Sequence, residues 1–257
     1  MEEVAELHRK SARALLAMMG EAPNSEFHLR SGCVMALSGE DAADLNMILL
    51  EGPEAAARDF LTTSMRKVSQ RDLPVLVQIA PALAEALAAD AQSHGLAPAG
   101  ALPLMVQRSL PAPGASRSCE IEEVRDPEMA AEALALVASA FSLPHDQAAR
   151  SLTNAWDGPG CRFYVARTGG ASVGSVTVTR ERNTAGVWCM ATPPDRQRQG
   201  WGRALLSGVI DQLRSDGVER VYLFATAEGF PLYRSLGFET IAEEAVWVKG
   251  HSTQVHG

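Results

Sequence analysis

The chain has 257 residues, of which 46% are hydrophobic, and a formal net charge of −8. That is apolar content enough for one large or two small packed domains, and too acidic a balance for a general nucleic-acid binder, whose phosphate contacts need a basic surface. The acidic opening MEEVAELHRK lacks the charged-then-apolar pattern of a leader and no apolar run reaches the length of a membrane span, so a cytoplasmic protein is expected, with no nucleic-acid or membrane partner.

The first hundred residues are weakly patterned, but an order of elements emerges from residue 44. DLNMILLEG (44–52) reads as a strand, PEAAARDFLTTSMRKV (53–68) as a helix and LPVLVQIA (73–80) as a strand. PALAEALAADAQSHG (81–95) then reads as a helix and ALPLMVQ (101–107) as a strand. RSLPAPGASRS (108–118), with its prolines and glycine, is the linker expected between two domains.

Beyond the linker the periodicity sharpens. CEIEEV (119–124) alternates as a strand does, and PEMAAEALALVASAFS (127–142) has helical spacing, opened by Asp126 as a cap and Pro127 in the first turn. CRFYVART (161–168) and SVGSVTVTR (172–180) make a hairpin across Gly169-Gly170, with GVWCMAT (186–192) as the next strand. GRALLSGVIDQLRSDG (202–217) is a helix with a glycine stop, RVYLFAT (220–226) a strand, GFPLYRSLG (229–237) a short helix and EAVWVK (244–249) the last strand. The whole is an α/β fold with a sheet of mixed direction.

The β-α-β-α-β order of 44–107 matches that of 186–249. SHGLAP (93–98) parallels SLGFET (235–240), and Met105 follows Gly95 by the same ten residues as Trp247 follows Gly237. The N-terminal region therefore reads as a degenerate copy of the C-terminal one. This gives a first domain over 1–107, a linker over 108–118, a second domain over 119–250 and a tail over 251–257.

Cys33, Cys119, Cys161 and Cys189 are scattered without a C-x-x-C pair and read as reduced thiols. The histidines show no metal-ligand spacing, so no metal is expected.

The chemistry concentrates in DRQRQGWGRALL (195–206). Pro193-Pro194 ends the preceding strand, and a loop with glycines at 200 and 202 then runs into a helix. A helix start exposes unpaired N–H groups and the positive end of its dipole. Glycines let a backbone close around an anion, and Arg198 and Arg203 add charge.

This loop, with Pro194 before it and GRALL (202–206) after it, resembles the Q/R-x-x-G-x-G/A signature of the GNAT superfamily of N-acetyltransferases. GFPLYRSLGFE (229–239) resembles that family's second conserved segment, with Tyr233, Gly237 and Phe238 in the expected places. The resemblance spans roughly 119–249 and implies a mixed sheet of GNAT type in the C-terminal half, with a degenerate GNAT-like N-terminal half. It also implies acetyl-CoA as co-substrate, with an amine on a small molecule or protein as acceptor.

By the same resemblance, backbone groups of Met190, Ala191 and Thr192 would pair with the pantetheine arm. Those of Gln197, Arg198, Gln199, Gly200, Trp201, Gly202 and Arg203 would hold the diphosphate, and Tyr233 would protonate the departing thiolate. Two positions depart from the family pattern. Thr226 stands where many members carry a cofactor-contacting asparagine and is a cofactor-binding candidate through one hydroxyl bond, and no carboxylate occurs from Ala185 to Thr192, where a general base often sits. Glu181 and Glu228 are nearby carboxylates that read as solvated loop charges, and no base is assigned.

Trp188 reads as a packing residue before an acceptor-pocket residue, His145 as a surface residue, and the Trp201 ring as packed beneath the loop. Two other functions fit the same motifs: an acyl-CoA-binding module without turnover, and acyl transfer from aminoacyl-tRNA.

Overall fold

Alternating apolar runs cut by glycine and proline give short strands, and alanine- and leucine-rich runs between them give helices. In the computed structural model the described residues are 2–20, 22–108, 118–152, 155–158 and 160–250. The elements are α1 (Glu2–Met19), β1 (Glu26–Arg30), β2 (Cys33–Leu37), β3 (Asn46–Leu50), α2 (Glu54–Gln70), β4 (Val75–Ile79), α3 (Pro81–Ser93) and β5 (Ala97–Gln107). There follow β6 (Glu120–Glu123), α4 (Pro127–Ala140), α5 (His145–Leu152), β7 (Cys161–Thr168), β8 (Ala171–Glu181) and β9 (Thr184–Ala191). The chain closes with α6 (Trp201–Ser215), β10 (Arg220–Phe224), α7 (Phe230–Ser235) and β11 (Glu239–Lys249). Most of the 108–118 stretch read as a linker, and all of the 251–257 stretch read as a tail, lie outside the described residues.

Sequence periodicity located every element from β3 onward except α5, mostly to within a few residues. It placed nothing before residue 44, where α1, β1 and β2 stand. The signal for α1 was present, since Leu7, Ser11, Leu15 and Met19 recur at four-residue spacing and are all buried. β11 begins five residues earlier than its apolar run, because the polar stretch ETIAE still follows the strand backbone.

Compact packing divides the chain into two units that interleave in sequence. The first comprises Met1–Leu104, Phe224–Ala227 and Thr240–Gly257, and the second Met105–Leu223 and Glu228–Glu239. The last strand of the chain therefore belongs to the same unit as its first helix.

In the first unit the strand order is β1-β2-β3-β4-β11-β5. β3 and β4 are parallel, with α2 as the crossover, and stay in register to the end, through Leu50 opposite Ile79. β11 runs antiparallel to β4, with Ala245 opposite Ile79 and Trp247 opposite Val77. One sheet face, carrying Met35, Ile48, Leu50, Val77, Ile79 and Trp247, packs with Phe60, Leu61 and Met65 of α2 and Leu83 and Leu87 of α3. Burying each such large side chain contributes about 1.5–3 kcal/mol. α1 lies over the opposite face, where its His8 reaches Glu244 of β11.

In the second unit the order is β10-β9-β8-β7-β6. Gly169 and Gly170, both at positive φ, form the two-residue turn of the β7–β8 hairpin. The Asp126 carboxylate accepts from the Met129 amide at 2.8 Å, as expected of the α4 cap. α6 buries Leu205, Leu206, Val209, Ile210 and Leu213. It stops at Gly217 (φ +83), where the Val218 amide turns back to the Leu213 carbonyl at 2.9 Å.

Candidate functional site

The site is built where β9 leaves the sheet. β8 and β9 pair as Thr177 with Trp188 and then as Ser175 with Ala191, so β9 spends one residue more than its partner over that interval. Cys189 takes φ +46 there, a left-handed conformation uncommon outside glycine. This is a β-bulge, and it takes Cys189 and Met190 out of the ladder. Nothing in the local sequence announces it; the competing register on either side imposes it.

On its other edge β9 pairs in parallel with β10 only over Thr184–Arg220, Ala185–Val221 and Gly186–Tyr222, although it continues to Ala191. Trp188 and Tyr222 meet edge to face at 6.0 Å just past that last pair. The Trp188 indole N–H donates to Thr179 Oγ1 at 2.7 Å. A Cβ on Gly186 would stand 2.8 Å from that indole nitrogen and 2.9 Å from the Tyr222 ring, so only glycine leaves room for this packing.

After β9 a short 3₁₀ turn, Pro194–Arg196, leads into the loop. Arg198 (φ +55) and Gly200 (φ +89, ψ 0) are both left-handed, with one residue between them, and Gly200 is the N-cap of α6. The left-handed pair turns the loop backbone onto the start of α6, where unpaired N–H groups and the positive end of the helix dipole suit an anion. The side chains of Gln197 and Gln199 brace this loop, donating to the carbonyls of Thr192 at 3.1 Å and Asp195 at 2.8 Å. Trp201 opens the helix with its ring buried. Arg203 bonds Ser235 at the end of α7, while Arg198 is exposed.

The first turn of α6, the end of β9 and α7 converge on Gly202. A Cβ there would meet Met190 Cε at 3.2 Å, Leu232 Cδ2 at 3.4 Å and Thr192 Oγ1 at 3.5 Å. From α7, the Tyr233 hydroxyl donates to the Met190 sulfur at 3.7 Å, and the ring stands edge-on to Phe238 at 5.9 Å. Burial pushes the Tyr233 phenol up to about 12 and the Cys189 thiol up to about 11. Tyr233 is thus a neutral O–H held beside a bulged strand end.

The structure brings Met190, Thr192, Gly202 and Tyr233 together, with the 197–203 loop continuous with them. Thr226 falls in the first unit, in the segment after β10. Glu181 ends β8 opposite Thr184, about 20 Å along β9 from Met190 at ~3.3 Å per residue. That separation removes it as a base. Glu228 is exposed in the turn before α7, and His145 is exposed at the start of α5. Among the described residues no group of three His, Cys, Asp or Glu side chains is disposed to hold a metal ion, and no helix is long and apolar enough to cross a membrane.

Residues 159–240 match the model of the acetyltransferase (GNAT) domain family. Over 52 residues the chain is 48% identical to the ribosomal protein bS18-alanine N-acetyltransferase of Escherichia coli K12, covering 19% of this chain and 35% of that enzyme. A GCN5-related N-acetyltransferase from Kribbella flavida superposes with a TM-score of 0.70 at 19% identity, over 98% of both chains. A tandem GNAT protein from the clavulanic acid biosynthesis pathway superposes with a TM-score of 0.55 at 17% identity, over 88% of this chain and 83% of its own. The curated relative is matched over about a third of its length, and the solved structures share the fold. Residues 159–240 of this chain thus carry a domain of the GNAT acetyltransferase family.

Proposed function

We propose that the protein transfers an acetyl or other acyl group from acyl-CoA to an amine, and that the second unit carries the chemistry. The observation that carries this reading is the junction of three features. The bulge at Cys189–Met190, the left-handed pair Arg198 and Gly200 ahead of α6, and the Tyr233 hydroxyl lie along one path from anion seat to proton donor.

Acyl-CoA, as co-substrate, supplies an activated thioester. Backbone groups of Met190, Ala191 and Thr192 would hold its pantetheine arm as a further strand, since β9 runs on beyond its last partner on β10. The amides from Gln197 to Arg203 would hold the diphosphate, the charge type that a helix start with such a loop favours. As the amine's nitrogen bonds to the acyl carbon and the carbon–sulfur bond breaks, Tyr233 Oη would give its proton to the leaving sulfur. The largest contribution is positioning, together with N–H groups aimed at the developing oxyanion. No carboxylate stands on β9; the amine would attack in its neutral form, and the proton its nitrogen sheds on bonding to the acyl carbon would pass to solvent, which would return one to Tyr233 Oη.

We infer further that the first half is a degenerate copy of the second. The repeated element order supports this, and so does one contrast: β3 and β4 pair to their ends, whereas β9 and β10 keep only three paired residues. Without a parting there is no slot for a pantetheine arm. The segment between β3 and α2 is EGP, acidic and short, where the second half has its phosphate loop.

The deciding experiment is an amine-panel assay with acetyl-CoA, read by free-thiol release. Thiol release that depends on an amine supports acyl transfer. Binding of acetyl-CoA without turnover of any amine would make the protein an acyl-CoA-binding module instead.

A further inference from the structure

The α1-facing side of the first unit's sheet holds polar groups that neither the fold nor the reading above uses. Glu244 of β11 is 0% exposed, Gln78 of β4 2% and His8 of α1 3%. His8 Nε2 bonds Glu244 Oε1 at 2.9 Å, and His8 Nδ1 lies 3.4 Å from Oε2 of Glu51, which follows β3. Gln78 is opposite Val246, two residues along β11 from Glu244, and opposite Leu49, two residues along β3 from Glu51. Side chains two apart on a strand share a face, so Gln78 is flanked diagonally by both carboxylates. Within this group, Glu244 Oε2, Gln78 Oε1 and His8 Nδ1 are buried with no hydrogen-bond partner.

Buried polar atoms are almost always paired, and leaving several unpaired on one patch of a sheet points to a missing donor. Two of the three are oxygens that only accept, and one belongs to a carboxylate. The complement is therefore a cation rich in N–H groups. The side chains are not disposed to hold a metal ion. A guanidinium demands a flat two-pronged partner, whereas a primary ammonium carries three donors on a compact head, matching acceptors that arrive from separate strands. The cluster also sits at the carboxyl ends of the parallel strands β3 and β4, where open α/β sheets place their ligands. Glu51, with 20% of its side-chain surface in water, forms the rim.

We propose that His8, Glu51, Gln78 and Glu244 form a binding site for a primary ammonium group in the first unit. His8 holds Glu244 by one oxygen and leaves the other for the ligand, and Gln78 supplies the second acceptor. This inference does not rest on acyl transfer by the second unit, and its test needs no acyl-CoA.

The test is calorimetric titration of the full chain with n-butylammonium chloride, and with tetramethylammonium chloride as a cation of equal charge that has no N–H donor. Saturable one-to-one binding of n-butylammonium is expected, with no binding of tetramethylammonium. Glu244→Gln should abolish binding, and Gln78→Leu, which deletes one acceptor without exposing a charge, should weaken it by about tenfold or more. Should Glu244→Gln fail to fold, Gln78→Leu decides alone. Gly200→Val should leave n-butylammonium binding unchanged, which separates this site from the phosphate loop. Absence of binding, equal binding of both cations, or binding undiminished in Gln78→Leu would overturn the proposal and leave a structural network filled by water.

Discussion

The Tyr233 hydroxyl donates to the sulfur of Met190 at 3.7 Å, across the gap between α7 and the bulged end of β9. A thioether is a weak acceptor, so this contact costs little to break. It also stands a sulfur where a leaving thiolate would need to come for Tyr233 to protonate it.

Tyr233→Phe keeps the ring and its edge-on packing with Phe238 and deletes the proton. The expected result is a fall in kcat of roughly a hundredfold to ten-thousandfold, the range of general acids. Acetyl-CoA affinity and Tm should barely change, because the deleted bond went to a thioether. Steady-state kinetics beside a melting curve check both parts, and unchanged turnover would cancel the catalytic role.

The pH profile follows from the same residue. Burial holds the Tyr233 phenol up to about 12, so the proton stays on throughout the neutral and mildly alkaline range. A raised pKa means the neutral form is the one the fold favours. The stability tied to it is full below the ordinary tyrosine value of about 10 and is lost as pH climbs toward the folded value. Turnover should therefore rise with pH as the amine loses its proton and show no alkaline fall below about pH 10. A descending limb near pH 8 would show that another group is the acid.

Gly200→Val tests the loop. At φ +89 an L-residue is strained by about 1–2 kcal/mol, and a branched side chain beside the amide groups crowds the anion seat. The folded variant should lose the rise in Tm that acetyl-CoA gives the parent protein through mass action. Retention of the full shift would remove this loop from donor binding.

The stoichiometry of CoA should be one per chain. β3 and β4 remain paired through Leu50 and Ile79, and the loop after β3 begins with Glu51. Two equivalents in a calorimetric titration would show that the first half keeps a working slot.

Much of this protein was legible in its residues alone. Periodicity located most elements, Asp126 announced a cap that the structure contains, and the pairing of the 195–206 loop with Tyr233, Gly237 and Phe238 indicated the superfamily. Those signals are local, and local spacing survives being read one segment at a time. What tertiary structure decided is what depends on two strands at once. The bulge at Cys189 exists because β8 and β9 fall one residue out of step, and β9 parts from β10 past Gly186 and Tyr222. Residues 240–249 share a compact unit with α1 because β11 pairs with β4. The meeting of His8 with Glu244 needs residues 236 apart in sequence to share one sheet face. Periodicity reports which side of an element is apolar, and it carries no information about which distant partner that side will meet.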